Sequence, residues 1–478
     1  MDDWKSYYPR LGHFAAGDWS FDSEGQAIVV VDPSTEHTIG LLPKAGPGQL
    51  DAMLRAAAGA FADWSRTPVR ERARYLVDAA RLIEQRAETI ARIVTLEQGK
   101  PLAEALQEVR RAAGLIAWNA NAAVELFEAE GERAIAGDSV VLRPVGPVAA
   151  FTPWNVPVLS PARKISMALA CGCPCIIKPA EETPGSAQEL VRAFVDVGLP
   201  NGVLGLAFGD PAFISDYLIR SPVIRKVTFT GSVPVGKHLA ALAGSLMKPV
   251  TMELGGHNAV LVFDDVDIDA VAAMAVNGKF RNAGQICTSP TRFYVQASAF
   301  DAFLDAFRAG AASLKVGSGF EAGTQMGPLV SRRRLDAIQD LVDDAVATGS
   351  RLVTGGERRG EQGYFFSPTI LTDVPDTARF MTEEPFGPVA SVAAFGTLDE
   401  GIALANHDSL GLASYVHTAD AETARHAAER LDSGVVGVNT FSVSRPELPF
   451  GGIKDSGYGR EGGREGLLEF LVAKAVAR

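Results

Sequence analysis

Between residues 147 and 252, short β-rich runs alternate with amphipathic stretches, and this alternation narrows the fold more than any other feature of the chain. The runs fall at 147–152, 174–178, 203–207, 226–229 and 249–252, with stretches between them near 160–170, 186–198, 211–220 and 234–244. Adjacent parallel strands need a long crossover, and a helix is the usual one. The spacing predicts an α/β unit in which a parallel sheet is wound with helices and ligands bind beyond the carboxyl ends of the strands. Upstream, from about 49 to 130, the period is helical: Leu50, Met53, Leu54, Ala57 and Phe61, then Leu76, Ala79, Ala80 and Ile83, recur at three- and four-residue spacing. A second alternating half runs from about 254 to 440, with runs at 258–263, 292–295, 390–394 and 435–439. The largely apolar stretch 467–476 either tucks into the core or is covered by a partner subunit.

Composition excludes several classes of function. With 478 residues, 47% of them hydrophobic, the chain has material for two to four units at roughly 100–200 residues each. A net charge of −12 argues against nonspecific binding to nucleic acid or to an anionic membrane surface. No apolar run of about 18 residues suggests a membrane span. Met1-Asp2-Asp3-Trp4-Lys5 has no basic region leading into an apolar one, so no signal peptide is read. Four cysteines are too few for a disulfide framework in a chain this long. A cytoplasmic enzyme is expected.

Two segments carry chemistry. Cys287 lies in Asn282-Ala283-Gly284-Gln285-Ile286-Cys287-Thr288, and Glu253 begins Glu253-Leu254-Gly255-Gly256. A thiolate can attack a carbonyl while a carboxylate activates the water that releases the acyl group. A lone cysteine is more often a small core residue, so the flanking segments matter. Phe151-Thr152-Pro153-Trp154-Asn155-Val156-Pro157 holds a carboxamide between prolines. Asn155 there is either an oxyanion donor or an Asx turn at a strand end. Phe229-Thr230-Gly231-Ser232-Val233-Pro234-Val235-Gly236 is either a pyrophosphate-facing helix N-terminus or an ordinary strand-to-helix turn. Gly457-Tyr458-Gly459-Arg460-Glu461-Gly462 fits the dinucleotide spacing, but no strand precedes it and no βαβ unit contains it, so a loop is expected. Cys171, Cys173 and Cys175 have no partner pair at zinc spacing, and the seven His residues form no cluster. Small buried thiols and no metal are expected.

Together these segments resemble the aldehyde dehydrogenase superfamily. Eight occur in the family's order: Thr95-Leu96-Glu97-Gln98-Gly99-Lys100-Pro101, Pro153-Trp154-Asn155, Lys178-Pro179-Ala180-Glu181, Gly231 to Gly236, Glu253-Leu254-Gly255-Gly256, Gly284-Gln285-Ile286-Cys287, Glu383-Glu384-Pro385-Phe386-Gly387-Pro388 and Pro449-Phe450-Gly451-Gly452. The resemblance implies an α/β fold with a Rossmann-like NAD-binding domain (1–120 plus 143–253) and an α/β catalytic domain (254–445). A small β oligomerisation element (121–142 plus 462–478) would support a homodimer or homotetramer. It implies Cys287 as nucleophile, Asn155 and the Cys287 amide as oxyanion donors, Glu253 as the water-activating base, and Lys164 as an aid to proton transfer. Thr152, Pro153, Trp154, Lys178, Glu181, Gly209, Phe229, Gly231, Ser232, Gly236, Leu254, Gly255, Glu384 and Phe386 match the family's cofactor contacts. A carboxylate at Glu181 would repel a 2′-phosphate, so NAD is expected over NADP. Glu253 favours water over coenzyme A as acyl acceptor.

Phe280-Arg281-Asn282 and Pro161-Ala162-Arg163-Lys164 look like the succinate-semialdehyde dehydrogenase branch, in which arginines at these positions bind the substrate's distal carboxylate. A guanidinium meets a carboxylate as a bidentate fork. The same arginines would also serve as structural partners of local acids. Ser289 stands where some members of that branch carry a second cysteine, so a Cys-x-Cys redox switch is absent.

Overall fold

The computed structural model describes residues 3–22 and 25–478. Met1 and Asp2, part of the segment read for a signal peptide, lie outside the described residues. Five parallel strands form the centre of the first sheet, in the spatial order Leu204–Leu206, Cys175–Lys178, Val148–Phe151, Lys226–Thr230, Val250–Glu253. From Val148–Phe151 the chain builds outward to one side and then returns to build the other, and a crevice opens where the order reverses. Every residue of Val148–Phe151 and Cys175–Lys178 is buried, as both faces of a helix-covered sheet require.

The crossover helices are Leu159–Ala170, Pro184–Asp196, Pro211–Arg220 and Val233–Ser245. The first differs from expectation. It reads as amphipathic, yet every residue from Ser160 to Ala170 is buried. It packs on the strands on one side and on the helices Val69–Gln85 and Leu102–Glu130 on the other. Arg163 and Lys164 are therefore held inside the protein, where a cation persists only with partners.

The segment expected to be a loop at 457–462 also differs. Gly457–Tyr458 adds an antiparallel edge strand, with Gly457 opposite Glu253 and Tyr458 opposite Met252. Gly457 has φ +110°, and a Cβ there would lie 1.9 Å from the Met252 carbonyl oxygen. Backbone contact this close needs glycine, and no hydrophobic period announces a two-residue strand.

The second sheet has seven strands, ordered Arg351–Thr354, Thr369–Thr372, Val389–Phe395, Pro290–Gln296, Asn258–Val262, Ala413–His417, Val435–Val438. All pairs are parallel except that of Arg351–Thr354 with Thr369–Thr372. Phe280, Phe293, Phe303 and Phe307 pack beneath it, with the Phe293 and Phe307 rings 4.9 Å apart. Each buried aromatic of this size contributes about 1.5–3 kcal/mol.

A third, antiparallel sheet joins Glu132–Ile135, Asp138–Pro144 and Leu471–Val476. The helix Leu102–Glu130 continues past residue 121, so these strands begin only at Glu132. The apolar tail divides between its two expected fates. Leu467 and Phe470 join the first core, while Val472 stays 50% exposed on the third sheet. Among the described residues, no helix is long and apolar enough to cross a membrane.

Candidate active site

Cys287 is presented by a backbone turn of unusual hand. After the helix Ile268–Phe280, Asn282 (φ 51°), Ala283 (φ 52°) and Gly284 (φ 71°) adopt left-handed conformations in succession. Asn tolerates this region and Ala does not do so readily. At Gly284 a Cβ would lie 2.1 Å from the Gly387 carbonyl oxygen. Such strain persists only where the surroundings over-determine it. Here Asn282 Nδ2 donates to the carbonyls of Asn155 (3.0 Å) and Gln285 (3.3 Å). Gln285 Oε1 accepts the Val330 amide at 3.0 Å. Beyond the thiol, Asn258 Nδ2 donates to the carbonyls of Cys287 and Ser289, both at 2.8 Å, and the Tyr415 hydroxyl donates to Thr288 O.

Asn155 reaches the same place from the first sheet. Its Nδ2 donates to Gln285 O at 3.0 Å. Its own carbonyl accepts Lys100 Nζ at 2.8 Å, and Lys100 is paired with Glu108 in the interior. Glu108 Oε1 also accepts the amides of Val158 and Leu159. A buried, fully partnered ion pair thus sets the Trp154-Asn155 loop, which explains the Gly99-Lys100-Pro101 segment.

Cys287, Asn155, Glu253, Leu254, Arg163 and Arg281 all line one cleft. Glu253, at the end of its strand, is 3% exposed, and neither carboxylate oxygen has a hydrogen-bond partner among the described residues. Burial, reinforced by the Glu461 carboxyl, holds its pKa well above the usual carboxylate range. Burial also pushes the Cys287 thiol up to about 12, with the Glu384 and Glu253 carboxyls adding to the effect and Arg163 opposing it. An unpartnered carboxyl and a protonated thiol in one cleft form a pair whose ionisation depends on what enters it.

Lys164 does not line the cleft. Its Nζ donates to Glu461 Oε1 at 2.5 Å and to Thr228 Oγ1 at 2.9 Å, and it reaches the cavity only through Glu461, which does line it. Arg163 Nη2 donates to Ser444 Oγ at 2.9 Å, its Nη1 lies 3.8 Å from Glu461 Oε2, and its guanidinium sits over the Phe450 ring. Arg281 is exposed at the rim and forms no ion pair among the described residues.

Sequence reasoning missed Glu461, Ser444 and Arg111. Glu461 lay in the segment set aside as a loop. A signal for Arg111 existed: Glu104, Gln107, Glu108 and Arg111 line the cleft at three- and four-residue spacing along one helix.

The residues expected to contact a cofactor gather at the carboxyl ends of the five parallel strands. Thr152, Pro153 and Trp154 follow the first strand, Lys178 ends the second, Gly209 lies beyond the third, Gly231 and Ser232 follow the fourth, and Leu254 and Gly255 follow the fifth. Phe229 lies within the fourth strand. Glu384 and Phe386 approach from the second sheet: Gly256 N donates to Glu384 Oε1 at 3.1 Å, and the Phe386 ring meets Trp154 edge-on at 5.5 Å. At Gly255 a Cβ would lie 2.1 Å from Glu384 Oε2, and at Gly236 one would lie 2.3 Å from the Leu254 side chain, so both glycines permit close approach. Lys178 is ion-paired with Glu181. Thr152 Oγ1 and Thr230 Oγ1 are buried without partners among the described residues, and Ser232 starts the helix Val233–Ser245 without a side-chain cap bond. Free hydroxyls, a helix N-terminus and a Lys–Glu pair along one crevice suit the phosphates and ribose hydroxyls of a nicotinamide dinucleotide.

No group of three or more His, Cys, Asp or Glu able to hold a metal occurs among the described residues. Cys171, Cys173 and Cys175 are core thiols whose pKa values burial raises.

Known proteins resemble this chain over nearly its whole length. The chain is 46% identical over 460 residues to a 4-(hydroxymethyl)benzenesulfonate dehydrogenase of Comamonas testosteroni, covering 96% of each chain. It is 38% identical over 469 residues to the NADP(+) succinate-semialdehyde dehydrogenase of Escherichia coli, covering 96% and 95%. The crystal structure of a succinate-semialdehyde dehydrogenase from Burkholderia pseudomallei superposes with a TM-score of 0.94 at 38% identity, over 100% of this chain and 99% of that one. Residues 19–476 match the family described as the aldehyde dehydrogenase family, and the chain belongs to it.

Proposed function

We propose that this aldehyde dehydrogenase uses NAD to oxidise an aldehyde that carries a distal anionic group, succinate semialdehyde being the first candidate, and releases the free acid. The observation that supports this most directly is the pair Arg163 and Arg281 on the wall of the cleft that holds Cys287. Arg281 forms no ion pair among the described residues, although its charge is felt by Glu104, and so has guanidinium donors to offer. The names of the relatives described above, one an aromatic sulfonate and one a semialdehyde of a dicarboxylic acid, fit a site for anionic substrates.

In this reading the Cys287 thiol gives up its proton to water in the cleft and its sulfur adds to the aldehyde carbon. Asn155 Nδ2 and the Cys287 amide donate to the oxygen of the resulting tetrahedral adduct. A nicotinamide dinucleotide held along the crevice by Lys178, Glu181, Ser232 and Glu384 would supply the hydride acceptor, and loss of hydride from the adduct would leave a thioester on Cys287. Glu253 takes a proton from the water that attacks the thioester carbon, and the thiol leaves. Glu461 and Lys164 lie behind Glu253 and offer its proton a path inward. Glu181, next to Lys178, disfavours a 2′-phosphate, which supports NAD. The third sheet, with Val472 and Ile135 half-exposed, is proposed as the surface that a second copy covers.

The test is an NADH-absorbance screen with succinate semialdehyde, glutarate semialdehyde, aliphatic aldehydes and aromatic aldehydes. The reading predicts that anionic aldehydes rank first by kcat/KM. Equal ranking of neutral aldehydes would remove the anionic substrate, and equal kcat/KM with NADP would remove the cofactor preference.

A further inference from the structure

The arginines of the cleft stand at different depths. Arg163, on the buried helix Leu159–Ala170, lines only the inner cleft with Cys287 and Glu253. Arg111 and Arg281 are exposed, and both also line a second cleft that opens outward past Ser289 and Phe441. The two clefts share Arg111, Arg281, Ile286, Thr288 and Ser444. They form one channel with two guanidiniums at its waist. Arg111 comes from the helix Leu102–Glu130 and Arg281 from the turn after Ile268–Phe280, so the tertiary fold alone brings these like charges together.

Two cations side by side repel unless an anion lies between them. Neither Arg111 nor Arg281 has an ion-pair partner among the described residues. Arg111 Nη2 donates to the Ser444 carbonyl at 2.9 Å, and Ser444 also accepts from Arg163. Although Arg111 is exposed as a residue, the protein packed around its guanidinium and then the charges of Arg281 and Arg163 lower its pKa, which reflects their proximity. The neighbouring carboxyls form their ion pairs and hydrogen bonds with other groups, although Glu104 also feels the charge of Arg281 and Arg111 that of Glu108. Glu108 pairs with Lys100, and Glu461 with Lys164. Glu104 accepts the Asn282 amide, and burial holds its pKa up to about 7. The walls of the inner cleft include Val156, Leu159, Ile286 and Phe450, which offer apolar surface to the uncharged part of a substrate.

We propose that Arg111 is a specificity-determining residue which, with Arg281, forms an anion seat at the channel waist, outward of Arg163. The seat selects aldehydes whose anion is held away from the formyl carbon by a rigid apolar spacer, as a sulfonate or carboxylate para to the formyl group of a benzene ring. This rests on the reading that the cleft takes an anionic aldehyde.

The test compares wild type, Arg111→Gln and Arg111→Lys on 4-formylbenzenesulfonate, 4-formylbenzoate, succinate semialdehyde and benzaldehyde, with 4-methylbenzenesulfonate as an unreactive competitor. The expected result is that Arg111→Gln lowers the ratio of kcat/KM for the charged benzaldehydes to that for benzaldehyde by about tenfold or more, since one charge-assisted hydrogen bond carries that much discrimination. The loss falls on KM, the inhibition constant of the competitor rises in parallel, and succinate semialdehyde loses less. Arg111→Lys recovers part of the ratio. A fall confined to one headgroup supports the seat and identifies its occupant. Equal losses on charged and neutral benzaldehydes would make Arg111 structural and overturn the seat. If Arg111→Gln is inactive throughout, Arg111→Lys carries the test through its own ratio. An unchanged ratio against a strong wild-type preference overturns the seat alone, whereas a wild type indifferent to charge overturns the anionic reading as well.

Discussion

Half-buried Cys287 and buried Glu253 are both held in the acid form, and this sets how the enzyme should respond to pH. The thiol is pushed up to about 12 and the carboxyl is held well above its usual range. Each must lose a proton to act, so kcat/KM should climb from pH 6 to pH 9. A profile that falls above pH 7 would contradict the assignment. Glu253→Gln separates the two half-reactions: rapid mixing should show a burst of NADH close to one equivalent per site, followed by slow turnover, because the thioester forms and water is no longer activated. Turnover without a burst and at the wild-type rate would remove Glu253 from hydrolysis. Asn155→Ala should lower kcat by about 10²–10³, the cost of one oxyanion donor, with little change in NAD affinity. At this scale the sequence was most informative, because a nucleophile, a base and a carboxamide are recognisable by type. It was least informative for Glu461 and Arg111, whose roles depend on Lys164 and Arg281, residues far from them along the chain.

At the scale of elements, the left-handed turn Asn282-Ala283-Gly284 is the most vulnerable structure around the site. Gly284→Ala adds both a positive-φ penalty and a Cβ against the Gly387 carbonyl. It should cost at least about 1–3 kcal/mol, read as a lower urea midpoint, and should displace Cys287 enough to reduce acylation. A variant with wild-type stability and activity would mean that the turn is not rigid. The strands and crossover helices of the first sheet were legible because burial on both faces leaves a continuous apolar run. The helix Leu159–Ala170 was misread as amphipathic because its Arg163 and Lys164 mimic a solvent face, whereas Glu461, Thr228 and Ser444 satisfy them inside. Strands Thr369–Thr372 and Ala413–His417 lacked a distinctive flank and were not anticipated.

At the scale of the whole molecule, the third sheet leaves Ile135 and Val472 half-exposed on strands that are not hydrogen-bonded to each other, Glu132–Ile135 and Leu471–Val476 lying on opposite sides of Asp138–Pro144. Apolar side chains on an open sheet edge are what a second copy would cover. Val472→Asp should therefore lower the molar mass measured by light scattering behind size exclusion, while the first core, which holds Leu467 and Phe470, stays folded. An unchanged mass would place the subunit contact elsewhere.

The amino-acid sequence by itself determined the α/β class and the positions of the parallel strands of the first sheet, and it marked Cys287, Glu253 and Asn155 as candidates by side-chain type, because hydrophobic period and residue chemistry are local properties. Only the tertiary structure decided that Glu461 pairs with Lys164, that the Gly457–Tyr458 edge strand lies beside Glu253, and that Arg111 and Arg281 both stand where the two clefts join. These depend on chain crossings between elements far apart in sequence, and no local pattern records where two such elements meet.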